Sequence, residues 1–126
     1  ANINIKELLE FHNLHKKTLT ITGVRPPSMF GEIIADGDNV ISFEEKPQTR
    51  QGLINGGFMV FNKEIFDFLT TDESCDFEFG PLEELAEKNQ VMSFKHNGFW
   101  ECADTVRDIS NLESLWKSGK AEWKVW

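Results

Sequence analysis

Leu53-Ile54-Asn55-Gly56-Gly57-Phe58-Met59-Val60-Phe61 is the stretch on which the reading of this chain turns. Its apolar, aromatic and β-branched content is that of a strand, yet two glycines interrupt it. Glycine inside a strand adds no packing and costs backbone entropy. Two reasons for the pair stand open: close approach of a ligand to the backbone beside Asn55, or a bulge or tight helix–strand contact. Just upstream, Glu45-Lys46-Pro47-Gln48 puts a carboxylate and an ammonium together where Pro47 lets a preceding strand end. With residues 40–45 extended, Ile41, Phe43 and Glu45 share one face and Val40, Ser42 and Glu44 the other. A carboxylate beside two large apolar side chains needs a cation or a ligand's donors. Sugar hydroxyls suit Glu45, and a phosphate suits Lys46 as a compact point charge. A surface ion pair is the alternative.

Working outward, residues 4–17 carry Ile5, Leu8, Leu9 and His12 at helical spacing, with Glu7, Glu10 and Lys16 for the wet side. Residues 18–24 alternate Leu19, Ile21 and Gly23 with threonines and read as a strand. Asp36-Gly37-Asp38-Asn39 between Ile33-Ile34 and Val40 predicts a hairpin over 31–43. Beyond the glycine-bearing strand the pattern predicts a short helix at 63–69 and an acidic loop at 72–76. A helix at 81–88 follows with Pro81 in its first turn, then a strand at 91–95 and a helix at 105–117. Thr105 with Asp108 three residues later fits a capping box. Strands and helices in alternation imply a single α/β domain over 1–126.

The chain has 126 residues and a formal charge of −8, with 11 Phe, 4 Trp and no Tyr, so Phe and Trp carry the aromatic core. The acidic balance argues against nucleic acid, whose affinity comes mostly from basic contacts to phosphates. No apolar run approaches membrane-spanning length, and no basic-then-apolar leader is present. Cys75 and Cys102 are isolated and lack metal-type spacing, as expected of free thiols in a cytoplasmic protein. His12, His15 and His96 form no zinc pattern. The start of the chain, almost directly in a helix pattern, suggests a cut through a longer protein.

A second polar cluster, Trp100-Glu101-Cys102-Ala103-Asp104-Thr105, ends on a carboxylate next to a helix start. Asp104 there is placed to ligate Mg²⁺ or to favour the helix N-terminus electrostatically. One carboxylate is not a metal site, since Mg²⁺ takes one or two together with phosphate oxygens.

Taken in order, these segments resemble the C-terminal half of the nucleotide-sugar pyrophosphorylases, a nucleotidyltransferase family. The match runs from Thr22-Gly23-Val24-Arg25-Pro26-Pro27 and Phe30-Gly31-Glu32 through Glu45-Lys46-Pro47-Gln48 to Asn55-Gly56-Gly57-Phe58. It continues through Pro81-Leu82-Glu83-Glu84-Leu85-Ala86 and Gly98–Thr105 to Trp123-Lys124-Val125-Trp126. The Glu-Lys-Pro triplet marks the superfamily; Arg-Pro-Pro, Asn-Gly-Gly-Phe and Trp-Lys-Val-Trp resemble its glucose-1-phosphate cytidylyltransferase branch.

The resemblance implies half of a mixed sheet with flanking helices, with the N-terminal nucleotide-binding half absent. It implies that Glu45, Asn55 and the Gly31 backbone hold glucose hydroxyls, with Gly56 and Thr105 also on the substrate. Lys46 then meets the sugar phosphate and Asp104 supplies one ligand to Mg²⁺. The implied partners are CTP, glucose 1-phosphate and further copies of the chain, and the implied product serves bacterial O-antigen and polysaccharide biosynthesis. No glycine-rich nucleotide loop occurs in the sequence, so no catalytic residue is assigned and the chain is expected to be inactive alone. Phe79-Gly80-Pro81 stands where the family pattern has Glu-Pro. Two other readings remain: a non-catalytic oligomerisation module with a vestigial pocket, and a thymidylyl- or uridylyltransferase fragment.

Overall fold

The computed structural model describes residues 1–26, 32–44 and 52–126. In order these form α1 (Ile5–His15), β1 (Leu19–Val24), β2 (Glu32–Asp36), β3 (Asn39–Glu44) and β4 (Ile54–Phe61). A 3-10 helix (Lys63–Asp67), α2 (Pro81–Glu87), β5 (Val91–His96) and α3 (Val106–Lys117) follow. The predicted elements are all present, with ends moved by a residue or two. They fall into two compact units.

One unit comprises residues 3–23 and 55–96. Its sheet has the order β4-β1-β5, so β1 is central. Being central explains its burial: Leu19 on one face and Thr20 and Thr22 on the other are all enclosed. Leu19 joins Ile65 and Leu85 in a core onto which Met59, Phe68, Phe77, Leu82 and Val91 pack.

Helix α1 starts because Asn4 caps it, its Oδ1 accepting from the Lys6 and Glu7 N–H groups at 3.1 and 3.2 Å. It stops at Lys16, which turns left-handed at φ 56°. Its buried face is narrower than the periodicity predicts: Leu8 and His12 are inside, while Ile5 and Leu9 are exposed. Pro81 takes the first turn of α2 as predicted.

The other unit comprises residues 1–2, 24–54 and 97–126. In it β2 and β3 form an antiparallel hairpin closed by Gly37 and Asp38, with Gly37 at φ +58°. A Cβ on Gly37 meets nothing within 4 Å, so the dihedral alone calls for glycine there. The register departs from simple alternation. Ala35 faces Val40 and Ile34 faces Ser42, which leaves Ile41 as the extra residue of a bulge. The bulge puts Val40, Phe43, Ile33 and Ala35 on one face. The expected grouping of Val40 with Ser42 is therefore corrected.

Candidate functional site

Of the residues expected to bind sugar phosphate, Gly31, Glu45 and Lys46 lie outside the described residues, as do Pro47 and Gln48. Asn55 and Gly56 are described, on β4. The Asn55 side chain is held at both ends. Its Oδ1 accepts the Gly57 N–H at 2.9 Å, and its Nδ2 donates to Glu78 Oε1 at 3.2 Å. One lone pair of Oδ1 and one N–H of Nδ2 stay available to a ligand.

Gly57 explains half of the glycine pair. It sits at φ +82°, and a Cβ there meets nothing within 4 Å. Tight helix–strand packing is thereby excluded at Gly57. What selects glycine is a left-handed turn in mid-strand that lets the Gly57 N–H reach back to Asn55. Gly56, by contrast, is buried. Sequence reasoning did not find Glu78, whose carboxylate, two residues before Gly80, meets Asn55. Its signal was only its position in the loop leading to α2.

In the other unit, Asp104 and Thr105 are exposed at the start of α3. The capping box is complete: Thr105 Oγ1 accepts the Asp108 N–H at 3.2 Å, and Asp108 Oδ2 accepts the Thr105 N–H at 2.9 Å. Hydrogen bonds from the Thr105 side chain and backbone hold the Asp108 carboxyl below its usual range. Glu101 reaches α3 as well, its Oε2 accepting from Asn111 Nδ2 at 2.8 Å.

Partial burial, then the Asp108 and Asp104 carboxylates, push the Cys102 thiol up, which disfavours its thiolate. Asp104 offers one hard oxygen donor of the kind Mg²⁺ takes. Among the described residues no group of three His, Cys, Asp or Glu gathers as a metal site. The fit is that of a single ligand.

The family model for Nucleotidyl transferase matches residues 1–123. The chain belongs to the nucleotidyl transferase family. Within it, this nucleotidyl transferase chain is 42% identical over 126 residues to a glucose-1-phosphate cytidylyltransferase of Salmonella typhi, covering 100% of this chain and 49% of the relative. A mannose-1-phosphate guanyltransferase of Saccharomyces cerevisiae is 38% identical over 124 residues, covering 93% of this chain and 34% of that one. The crystal structure of a protein described as a glucose-1-phosphate thymidylyltransferase from Bacillus anthracis superimposes with a TM-score of 0.56 at 16% identity. That match covers 90% of this chain and 49% of the other, and it supports a mixed α/β nucleotidyltransferase-like fold. This nucleotidyl transferase chain spans about half the length of the cytidylyltransferase it matches.

A cleft of about 420 Å³ lies elsewhere, lined by His12, Asn13, Lys16, Asn62, Lys63 and Glu64. None of the residues expected from the sequence lines it. Its floor belongs to a network that sequence reasoning missed. His12 is 3% exposed, with Nδ1 at 2.8 Å from Thr20 Oγ1 and Nε2 at 3.1 Å from Asn62 Oδ1. His15 Nε2 reaches the same Thr20 hydroxyl at 2.6 Å. The available signals were the helical spacing of Leu8, His12 and His15 and the alternation that turns Thr20 away from Leu19.

Proposed function

We propose that this chain is the sugar-phosphate-binding portion of a glucose-1-phosphate cytidylyltransferase. In that reaction CTP and α-D-glucose 1-phosphate give CDP-glucose and diphosphate. The observation that carries the reading is 42% identity with a named cytidylyltransferase along the entire chain. The polar grip at Asn55, with open space over Gly57, supports it.

In this reading a phosphate oxygen of glucose 1-phosphate attacks the α-phosphorus of CTP in line, and diphosphate leaves. Positioning does most of the work. Glu45, Asn55 and the backbone at Gly31 and Gly56 hold sugar hydroxyls, and Thr105 adds a hydroxyl contact. Lys46 neutralises the sugar phosphate. Asp104 gives one carboxylate oxygen to Mg²⁺, whose chemistry is to neutralise phosphate charge. The sequence holds no glycine-rich loop to cradle the nucleotide, so base choice and catalysis rest with residues beyond these 126. The same reading makes the protein cytoplasmic and a homo-oligomer, with the product feeding polysaccharide synthesis.

Calorimetry with glucose 1-phosphate tests it. Saturable binding is expected, weakened about tenfold or more in Lys46→Ala and in Glu45→Ala, as befits hydrogen bonds to charged groups. Absence of binding to the wild-type chain sinks the reading. Formation of CDP-glucose by the purified 126-residue chain with CTP and Mg²⁺ refutes its inactivity.

A further inference from the structure

The His12 network closes on itself. The Lys17 backbone N–H donates to His15 Nδ1 at 3.0 Å, and Asn62 Nδ2 donates to the Lys17 carbonyl at 2.9 Å. A backbone N–H can only donate and a carbonyl can only accept, so both ends of the chain of bonds are fixed. His15 Nδ1 therefore carries no proton, and its Nε2–H donates to Thr20 Oγ1. At the other end, Asn62 presents Nδ2 to the carbonyl and Oδ1 to His12, so His12 Nε2 carries a proton. With His12 neutral, its Nδ1 accepts the Thr20 O–H. The ring runs from the Lys17 N–H through His15, Thr20, His12 and Asn62 back to the Lys17 carbonyl. It ties the end of α1 to β1 and to the residue after β4.

We propose that this ring is a proton-state latch: it stays closed while the His15 imidazole is neutral, and a proton taken up at His15 Nδ1 opens it. The two histidines are not equivalent. A proton on His12 Nδ1 reverses one bond, because Thr20 Oγ1 has lone pairs to accept from both rings. A proton on His15 Nδ1 faces the Lys17 N–H, donor against donor, with no rearrangement that restores the bond.

The surroundings oppose that proton. Lys16 and Lys17 follow α1, Lys63 and Glu64 follow Asn62, and β5, which packs on α1, carries Lys95 and His96. Glu64 is the carboxylate among the residues that line the cleft beside His12. The Lys17 ammonium is held by Asn89 Oδ1 at 2.9 Å, and the Phe11 ring stands edge-on to His15 with centroids 5.2 Å apart. Partial burial first, then His12 and Lys17, lowers the His15 pKa from 6.5. A base whose pKa is depressed by folding binds its proton more readily in the unfolded chain. Its contribution is therefore complete above 6.5 and is lost as pH falls through the folded-state value.

Two measurements on the 126-residue chain decide the matter. Long-range ¹H–¹⁵N spectra at pH 7.5 are expected to show His12 and His15 both as Nε2–H tautomers; an Nδ1–H tautomer at His15 overturns the latch. Urea unfolding between pH 7.5 and 5 is expected to show the folding equilibrium constant falling more steeply in the wild type than in His15→Gln. One extra proton bound by the unfolded chain corresponds to about tenfold per pH unit. Equal slopes overturn the proposal. Should His15→Gln not fold, Lys17 amide exchange in the wild type serves instead. Protection lost as pH falls below 6.5, relative to neighbouring amides, supports the latch, and unchanged protection refutes it.

Discussion

At Thr105 a single hydroxyl starts a helix, and its cost is easy to state. Thr105→Ala removes one half of a reciprocal cap and is expected to destabilise by about 1 kcal/mol, read as a lower urea midpoint with an unchanged slope. No change in midpoint means the cap adds nothing. Asp108 supplies the other half. Its carboxyl is depressed below 3.8, so its contribution is present above that value and is lost as pH falls through the folded-state value. Both roles were legible beforehand, because a capping box is written within four consecutive residues. The partnership of Asn55 with Glu78 was not legible, since 23 residues separate them. Glu78→Ala frees the Asn55 amide and is expected to weaken glucose 1-phosphate binding several-fold, while Glu78→Gln keeps an acceptor and loses less. Equal affinity in all three proteins would show that the Asn55 orientation does not depend on Glu78.

Among the elements, the strands show where local pattern misleads. The Asp36-Gly37-Asp38-Asn39 turn was correctly legible because its chemistry is contained in the turn itself. The faces of β3 were not, because a bulge is a property of two strands in register, and it reverses the alternation at Ile41. Val40, Phe43 and Ile33 consequently stand together at 53%, 60% and 62% exposure. In β4, Gly57 at φ +82° predicts that Gly57→Ala costs roughly 1–2 kcal/mol from backbone strain alone. No steric clash adds to it, since the new methyl meets open space. Thermal unfolding measures this, and an unshifted midpoint contradicts the left-handed dihedral.

For the whole molecule, stability concentrates in few side chains. Leu85 is 0% exposed and joins Leu19 and Ile65, so Leu85→Ala is expected to cost about 2–5 kcal/mol in chemical unfolding. A loss under 1 kcal/mol would mean that the core collapses around the gap. The two tail tryptophans separate: Trp123 lies 5.4 Å from the Phe99 ring within its own unit, while Trp126 is 80% exposed. Assembly through the tail therefore predicts that Trp126→Ala lowers the mass seen by light scattering, and an unchanged mass argues against it. Sequence by itself determined the elements, the Thr105–Asp108 capping box, the hairpin turn and the family, because each rests on residues close in the chain or on motifs in fixed order. Only the tertiary structure decided the bulge register, the Asn55–Glu78 bond and the ring through His12. The members of that ring lie up to 50 residues apart, and their proton positions follow from which backbone groups of Lys17 they meet.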